Sequence, residues 1–288
     1  MGGSLLQPAA GRKNRYLILL NIQSFSLYII PMGPTDANNR EQPDHSDKKQ
    51  RFAVVIPTYN HGRSVEAVIT EVLKLDLPVF VVDDGSTDDT AGRISRFSDI
   101  RILRHEKNLG KGAALLTGFS EAMQIADWAI TLDADGQHNP ADAAAMMRTA
   151  RKYEKALIVG RRTGMDHGHV HWTSRFGRKF SNFWVRVSGG PKISDSQSGF
   201  RIYPLPEAAC LDVKSRRFEF EVEILVRAHW KGLPIAEVPV GVSYLPPEQR
   251  ISHFRPWRDF LRNTVTFAGL IMRSLLYRPQ KNSSENKA

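Results

Sequence analysis

The sequence predicts an α/β fold in which a mostly parallel sheet is covered by helices on both faces. Three observations carry that reading. From residue 51 onward, short β-branched runs alternate with segments of helical apolar spacing. At 288 residues, with 41% hydrophobic and 24% charged, the chain is long enough to bury one large core. Three polar clusters, moreover, recur where strands should end, which is where open parallel sheets hold their ligands.

Residues 52–56 (FAVVI) form the first strand, closed by Pro57, whose nitrogen cannot donate to a sheet ladder. Val65, Val68, Ile69, Val72 and Leu73 then recur at helical spacing behind Ser64, a capping residue type. Residues 79–82 predict a second buried strand, and Ser86, Thr87, Asp88 and Asp89 the start of the next helix. A strand at 100–103, a helix marked by Leu115, Leu116, Phe119 and Met123, and a strand at 128–132 follow. Helix 140–152 and strand 156–160 continue the alternation. Past 160 it loosens into a basic, glycine-containing stretch (161–192), then a strand at 200–203, a helix near 219–231 and a strand at 235–242. Residues 256–277 are amphipathic, with Trp257, Phe260, Leu261, Val265, Ala268, Ile271 and Leu275 on one face and Arg255, Arg258, Arg262 and Arg273 elsewhere. Such a face suits either a membrane surface or the chain's own core.

The expected organisation is a disordered or weakly structured extension (1–50), an α/β domain (51–250), and an amphipathic helix with a polar tail (251–288). Residues 16–30 are apolar but interrupted by Asn21, Gln23, Ser24 and Ser26, and fall short of the roughly 20 residues a span needs. Residues 33–50 read as a linker.

A single cysteine, Cys210, excludes a disulfide framework and a cysteine-rich metal site. The formal charge of +10 is polarised: residues 148–186 carry +8 and 250–288 carry +6, so the remainder is net −4. Such an excess admits nucleic acid, an anionic membrane surface or a phosphorylated molecule as partner. Neither a nucleic-acid module nor an interleaved aromatic and basic stripe is visible, so nucleic acid is not expected.

The strand-end clusters are Pro57-Thr58-Tyr59-Asn60, Asp83-Asp84-Gly85-Ser86, and Asp133-Ala134-Asp135-Gly136-Gln137-His138. No Gly-x-Gly-x-x-Gly follows a strand, and Gly110-Lys111-Gly112 lacks the Ser or Thr of a Walker loop. Phosphate must therefore be held differently. Asp133 and Asp135, one residue apart, with the amide oxygen of Gln137, offer hard oxygen ligands for Mg²⁺ or Mn²⁺. Such an ion takes its remaining ligands from water and a substrate diphosphate.

Residues 54–60 (VVIPTYN), 81–90 (VVDDGSTDDT), 108–118 (NLGKGAALLTG) and 133–140 (DADGQHNP) resemble the family 2 glycosyltransferases. Residues 195–203 (DSQSGFRIY), with Phe220, Glu223, Ala228, Gly232, Ile235, Glu237, Val238 and Pro239, resemble their polyprenyl-phosphate, dolichyl-phosphate mannosyltransferase-like branch. The resemblance covers about residues 52 to 265. It implies the GT-A fold, a Rossmann-like, mostly parallel mixed sheet flanked by helices, here with a C-terminal amphipathic helix. It also implies a metal-dependent, inverting transfer from a UDP- or GDP-linked sugar to a polyprenyl phosphate at the cytoplasmic membrane face. The alternative acceptor is a hydroxyl of another envelope lipid or polysaccharide.

By the same resemblance Pro57, Tyr59 and Asp83 line the nucleoside pocket. Asp133 and Ala134 hold the ribose–diphosphate region, and Asp135 and Gln137 the metal. Arg161, Arg162, Arg178, Ser181 and Arg250 fall where relatives grip the acceptor phosphate. Asp195 orients the acceptor, or acts as a base if the acceptor is a hydroxyl. His61 departs from the pattern, because the family usually has an acidic residue there. Residue chemistry alone leaves Arg161, Arg162, Arg175, Arg178 and Lys179 open to binding a lipid phosphate or to solvating a surface, and the spacing of Arg175, Arg178 and Lys179 on one helix face favours the first. The alternating His167, His169 and His171 read as a loop, with or without an acceptor role.

Overall fold

The computed structural model describes residues 15–21, 26–32, 50–163, 172–243 and 256–276. The chain divides into two units, Met1–Lys49 and Gln50–Ala288. In the first, strands β1 (Arg15–Asn21) and β2 (Ser26–Met32) pair as an antiparallel hairpin with Arg15 opposite Met32.

The second unit holds β3 (Phe52–Thr58), α1 (Val65–Leu73), β4 (Val79–Asp83), α2 (Thr90–Ile94), β5 (Arg101–Arg104), α3 (Lys111–Ala122) and β6 (Trp128–Thr131). After a 3₁₀ turn at Pro140–Asp142 come α4 (Ala143–Ala150), β7 (Leu157–Arg162), α5 (Trp172–Val187), β8 (Arg201–Pro204), α6 (Phe220–Trp230), β9 (Ile235–Val240) and α7 (Pro256–Leu276). The strands form one seven-stranded sheet in the order β5-β4-β3-β6-β8-β7-β9. Neighbours are parallel except β8, which runs against both β6 and β7. The chain leaves β3 toward β4 and β5, then returns to add β6 on the other side. That reversal opens a crevice beyond the strand ends, the usual ligand position of such sheets.

Side-chain alternation splits the core in two. Ala53, Val55, Phe80, Val82, Ala129, Leu157 and Val159 face α3, α6 and α7. Val54, Ile56, Val79, Val81, Ile130 and Ile158 face α1, α2 and α4. Both faces being buried, the strands read as unbroken apolar runs. The edge strand β5 (RILR) is largely exposed and ends in arginines, which discourage pairing with another chain.

Two element boundaries differ from expectation. Helix α2 begins at Thr90 rather than at 86–89, because Ser86 and Thr87 are bound into a loop: their amides donate to Asp83 Oδ1 (2.9 Å) and Asn60 Oδ1 (2.8 Å). The loosened 161–192 stretch contains the 16-residue helix α5. Its polar surface hides the period, since among its described side chains the fully packed positions are Ser181 and Val185. Among the described residues no helix is long and apolar enough to cross a membrane.

Candidate active site

The three expected clusters converge beyond the ends of β3, β4 and β6. Asn60 stitches two of them together, its amide donating to Ser86 Oγ (3.0 Å) while its side chain accepts from Thr87. Asn60 does this at φ 53°, a conformation that asparagine tolerates better than most residues. Asp83 is buried, with Oδ1 on the Ser86 amide and Oδ2 3.3 Å from Arg104 Nε in an ion pair lacking hydrogen-bond geometry. Tyr59 is partly exposed at the rim, and its amide lies 3.4 Å from His61 Nδ1, so His61 presents an acceptor nitrogen there.

Asp84 has a different task. Its carboxylate accepts from the amides of Leu109 (2.9 Å) and Gly110 (2.7 Å) and from His105 Nδ1 (2.7 Å). It therefore ties the end of β4 to the loop that starts α3. Gly110 sits at φ 107°, and a side chain there would meet the Arg216 carbonyl at 2.4 Å. This loop delivers Lys111 into the site.

Lys111 Nζ lies 2.5 Å from both Asp133 Oδ1 and Glu221 Oε1. Burial opposes its charge, but the two carboxylates outweigh burial and keep the ammonium protonated. For Asp133, burial acts upward, and the Lys111 charge overrides it to hold the carboxyl below its ordinary range. Gly199 closes the arrangement from β8's side: a Cβ there would stand 2.5 Å from Asp133 Oδ2 and 2.7 Å from Lys111 Nζ.

Among the described residues Asp135 makes no ion pair of its own. Burial, then the neighbouring Asp133 charge, push its carboxyl up to about 6. Its Oδ1 accepts the Gln137 amide at 3.0 Å, which folds the Asp135–Gln137 turn toward the crevice. His138, its ring tilted 5.3 Å from that of Phe200, keeps a buried Nδ1 without a hydrogen-bond partner among the described residues. Burial lowers its pKa, so the ring is neutral near pH 7.

At the end of β7, Asp195 is fully buried and held by Arg162 through Nε and the second guanidinium nitrogen, both at 2.8 Å, with the Arg162 amide at 3.2 Å. Burial raises the Asp195 carboxyl, but the Arg162 hydrogen bonds and charge outweigh burial and hold it below the ordinary range. Glu237 Oε1 accepts the amides of Ser194 (2.9 Å) and Asp195 (3.2 Å) and fixes this loop to β9. Ser181 is buried, its hydroxyl 2.9 Å from Ser196 Oγ, and Asn182 accepts the Ser196 amide at 2.9 Å. Arg201, wholly buried, donates to the carbonyls of Ser198, Ser196 and Glu221 at 2.7–2.8 Å.

The expected acceptor residues therefore separate. Arg162 is committed to Asp195, and Ser181 to Ser196. Arg161 leaves β7 on the opposite face from Arg162 and is exposed. Arg178 stays near, since its charge reaches Asp195. Arg250, His167, His169, His171 and the Arg175 side chain lie outside the described residues. Pro57 and Ala134 are buried at the crevice floor. Lys111, Glu221 and Gly199 escaped the sequence reading as site residues, and Asp84 was legible only as a member of a strand-end cluster. Lys111 was visible only as part of the glycine-containing loop, and Glu221 only by its place beside Phe220 at a helix start.

A family model described as glycosyl transferase family 2 matches residues 53–204. The chain belongs to that family. The transferase is 29% identical over 213 residues to the UDP-N-acetylglucosamine–dolichyl-phosphate N-acetylglucosaminyltransferase of Methanococcus voltae, covering 66% of this chain and 85% of that one. It is 27% identical over 202 residues to the undecaprenyl-phosphate mannosyltransferase of Micrococcus luteus, covering 66% and 82%. Among solved structures it is similar to glucosyl-3-phosphoglycerate synthase from Mycobacterium tuberculosis, crystallised with Mn²⁺, UDP and phosphoglyceric acid. That match has a TM-score of 0.58 at 22% identity and covers 82% of this chain and 81% of that one. The GT-A expectation, a mostly parallel mixed sheet flanked by helices, is borne out.

Proposed function

We propose that this glycosyltransferase moves a sugar from a UDP- or GDP-linked donor to a polyprenyl phosphate, peripherally at the inner face of the cytoplasmic membrane. The observation that carries the acceptor class is the Arg162–Asp195 pair. A hydroxyl acceptor needs a base whose pKa lies near the working pH. Asp195, buried, bidentately paired and held below its ordinary range, is poorly suited to that task. A phosphate acceptor is already ionised near neutral pH and needs no strong base. The names of two relatives, a dolichyl-phosphate and an undecaprenyl-phosphate transferase, support the same class.

The donor end fits a divalent cation. Three carboxylates (Asp133, Asp135, Glu221) stand against one cation, Lys111, an excess of two negative charges. Among the described residues no three His, Cys, Asp or Glu side chains converge as a closed metal site. That suits an ion taking one or two protein ligands and its remaining contacts from phosphates. Asp135 and Gln137 would hold Mg²⁺ or Mn²⁺, which would neutralise charge building on the departing nucleoside diphosphate. Lys111 holds Asp133 in place, leaving Asp135 as the open carboxylate. Asp83, Tyr59 and Pro57 line the space left for the nucleoside. Arg178 is the described cation best placed for the acceptor phosphate, with Arg162 shaping the floor through Asp195.

The test is donor turnover with a short-chain polyprenyl phosphate present or absent, after a screen of UDP- and GDP-sugars with Mn²⁺ for thermal stabilisation. The expected result is stabilisation by one donor class and turnover that depends on the phosphate lipid. Turnover only with a hydroxyl acceptor would overturn the assignment.

A further inference from the structure

We propose that the outer face of α7, together with a basic groove beside it, docks the enzyme on an anionic phospholipid bilayer. This deepens the membrane location proposed above and rests on that reading for its setting.

Helix α7 is apolar on two opposite sides. Phe267 and Leu270 are buried against the α5–α6 side of the core. Diametrically opposite, Val265 is 72% and Met272 62% exposed, with Ala268 exposed between them. Positions 265, 268 and 272 fall on one stripe of a 3.6-residue helix. A helix that only packed against its own domain would carry polar residues there. Between 262 and 274 the charged side chains are Arg262 and Arg273, which stand on one flank of that stripe.

The flank opens into a groove of about 440 Å³ between residues 215–219 and α7. Arg216, Arg217 and Arg262 line it together with Val265, against one carboxylate, Glu219, 3.9 Å from Arg262. Guanidiniums thus share a wall with an exposed apolar side chain, the pairing that lets a surface meet lipid phosphates and acyl chains at once. Helix α5 repeats the pattern: Phe183 is 59% exposed, Val187 is exposed beside it, and Lys179 and Arg186 flank them. The two helices lie side by side, with the Trp184 and Phe267 rings 6.3 Å apart.

A second copy is a poorer occupant. A two-fold contact through this face would set its arginine flank close to a like-charged flank. An anionic bilayer meets both the stripe and the flank.

The test is co-sedimentation of the full chain with phosphatidylcholine vesicles, with and without phosphatidylglycerol. Wild type should bind the phosphatidylglycerol vesicles and be released by salt. Val265→Asp with Met272→Asp, and separately Arg216→Gln with Arg262→Gln, should each weaken partition roughly tenfold or more. Circular dichroism and turnover of a water-soluble short-chain acceptor should be unchanged in both. If the aspartate pair unfolds the helix, the glutamine pair carries the test alone. Partition of a folded variant equal to wild type overturns the proposal. So does a dimer in sedimentation that the aspartate pair dissociates while wild type ignores vesicles. Vesicle binding lost in the variants supports docking even if no polyprenyl phosphate is turned over, so the two readings fail separately.

Discussion

The proposed donor end and the proposed acceptor end of the crevice use the same residue types in opposite ways. At the donor end the carboxylates outnumber the cations, and Asp135 is left with its carboxyl near 6. At the acceptor end the ions are matched: Arg162 closes on Asp195, and Glu237 and Asn182 tie down the intervening backbone. The first region keeps an excess of negative charge, which suits the proposed cation. The second is finished and serves as a wall. Charge that does chemistry is recognised here by what it lacks, not by how much of it there is.

The comparison breaks most directly at Asp135. Asp135→Ala should cut turnover on the order of a thousandfold, since the open carboxylate supports the charge stabilisation of the transfer. Melting without metal should not fall, because among the described residues the lost group makes no ion pair of its own. A variant that turns over like wild type would refute the metal assignment.

Asp195→Asn should instead act on stability. Removing one partner of a buried ion pair costs about 3–5 kcal/mol, because the other charge is left without compensation. Denaturant unfolding checks this, and the pH dependence sharpens it. A carboxyl held below its unfolded value stabilises the fold above that value, about 3.9, and loses the contribution as pH falls through the folded pKa. The gap between wild type and Asp195→Asn should be constant from pH 7 to pH 5 and shrink below about pH 4. Glu223, lowered by its bonds to Ser215, Lys214 and Arg227 against the pull of burial, adds the same trend to both proteins.

Gly199→Ala tests how tightly the donor end is built. A methyl group 2.5 Å from Asp133 Oδ2 and 2.7 Å from Lys111 Nζ must push the pair apart. Overpacking of this kind costs about 1–3 kcal/mol. Turnover should fall with stability, and thermal stabilisation by the donor with Mn²⁺ should weaken. Unchanged donor binding would show that Lys111 does not orient Asp133.

These contrasts explain what was legible in the sequence. Strands β3, β4 and β6 are short apolar runs that end at a proline or an aspartate, so local pattern located them, and the strand-end carboxylates came with them. Asp133, Asp135 and Gln137 are neighbours in sequence, and their shared site needed no tertiary knowledge. The acceptor wall is assembled across distance: Arg162 meets Asp195 33 residues on, and Ser194 meets Glu237 43 residues on. An arginine destined for a buried carboxylate and one destined for a ligand look alike in a sequence. Lys111 and Glu221 lie 110 residues apart, which hides their pairing for the same reason. Helix α5 was obscured because, among its described side chains, the buried positions are a serine and a valine.

The smallest expected effect separates wall from grip most cleanly. Ser181 was expected to hold the acceptor phosphate, yet its hydroxyl is buried and 2.9 Å from Ser196 Oγ. If it belongs to the wall, Ser181→Ala removes one neutral hydrogen bond, worth about 1 kcal/mol. For a unit of this size that lowers Tm by roughly 2–4 °C. KM for the phosphate acceptor should stay put, because nothing that touches the ligand has changed. A grip on the phosphate would invert the result, with KM rising several-fold and Tm held. Arg178→Gln supplies the control, since a cation near the acceptor phosphate should raise KM with little effect on melting. A Ser181→Ala variant that behaved like Arg178→Gln would move the boundary between wall and ligand one helical turn along α5.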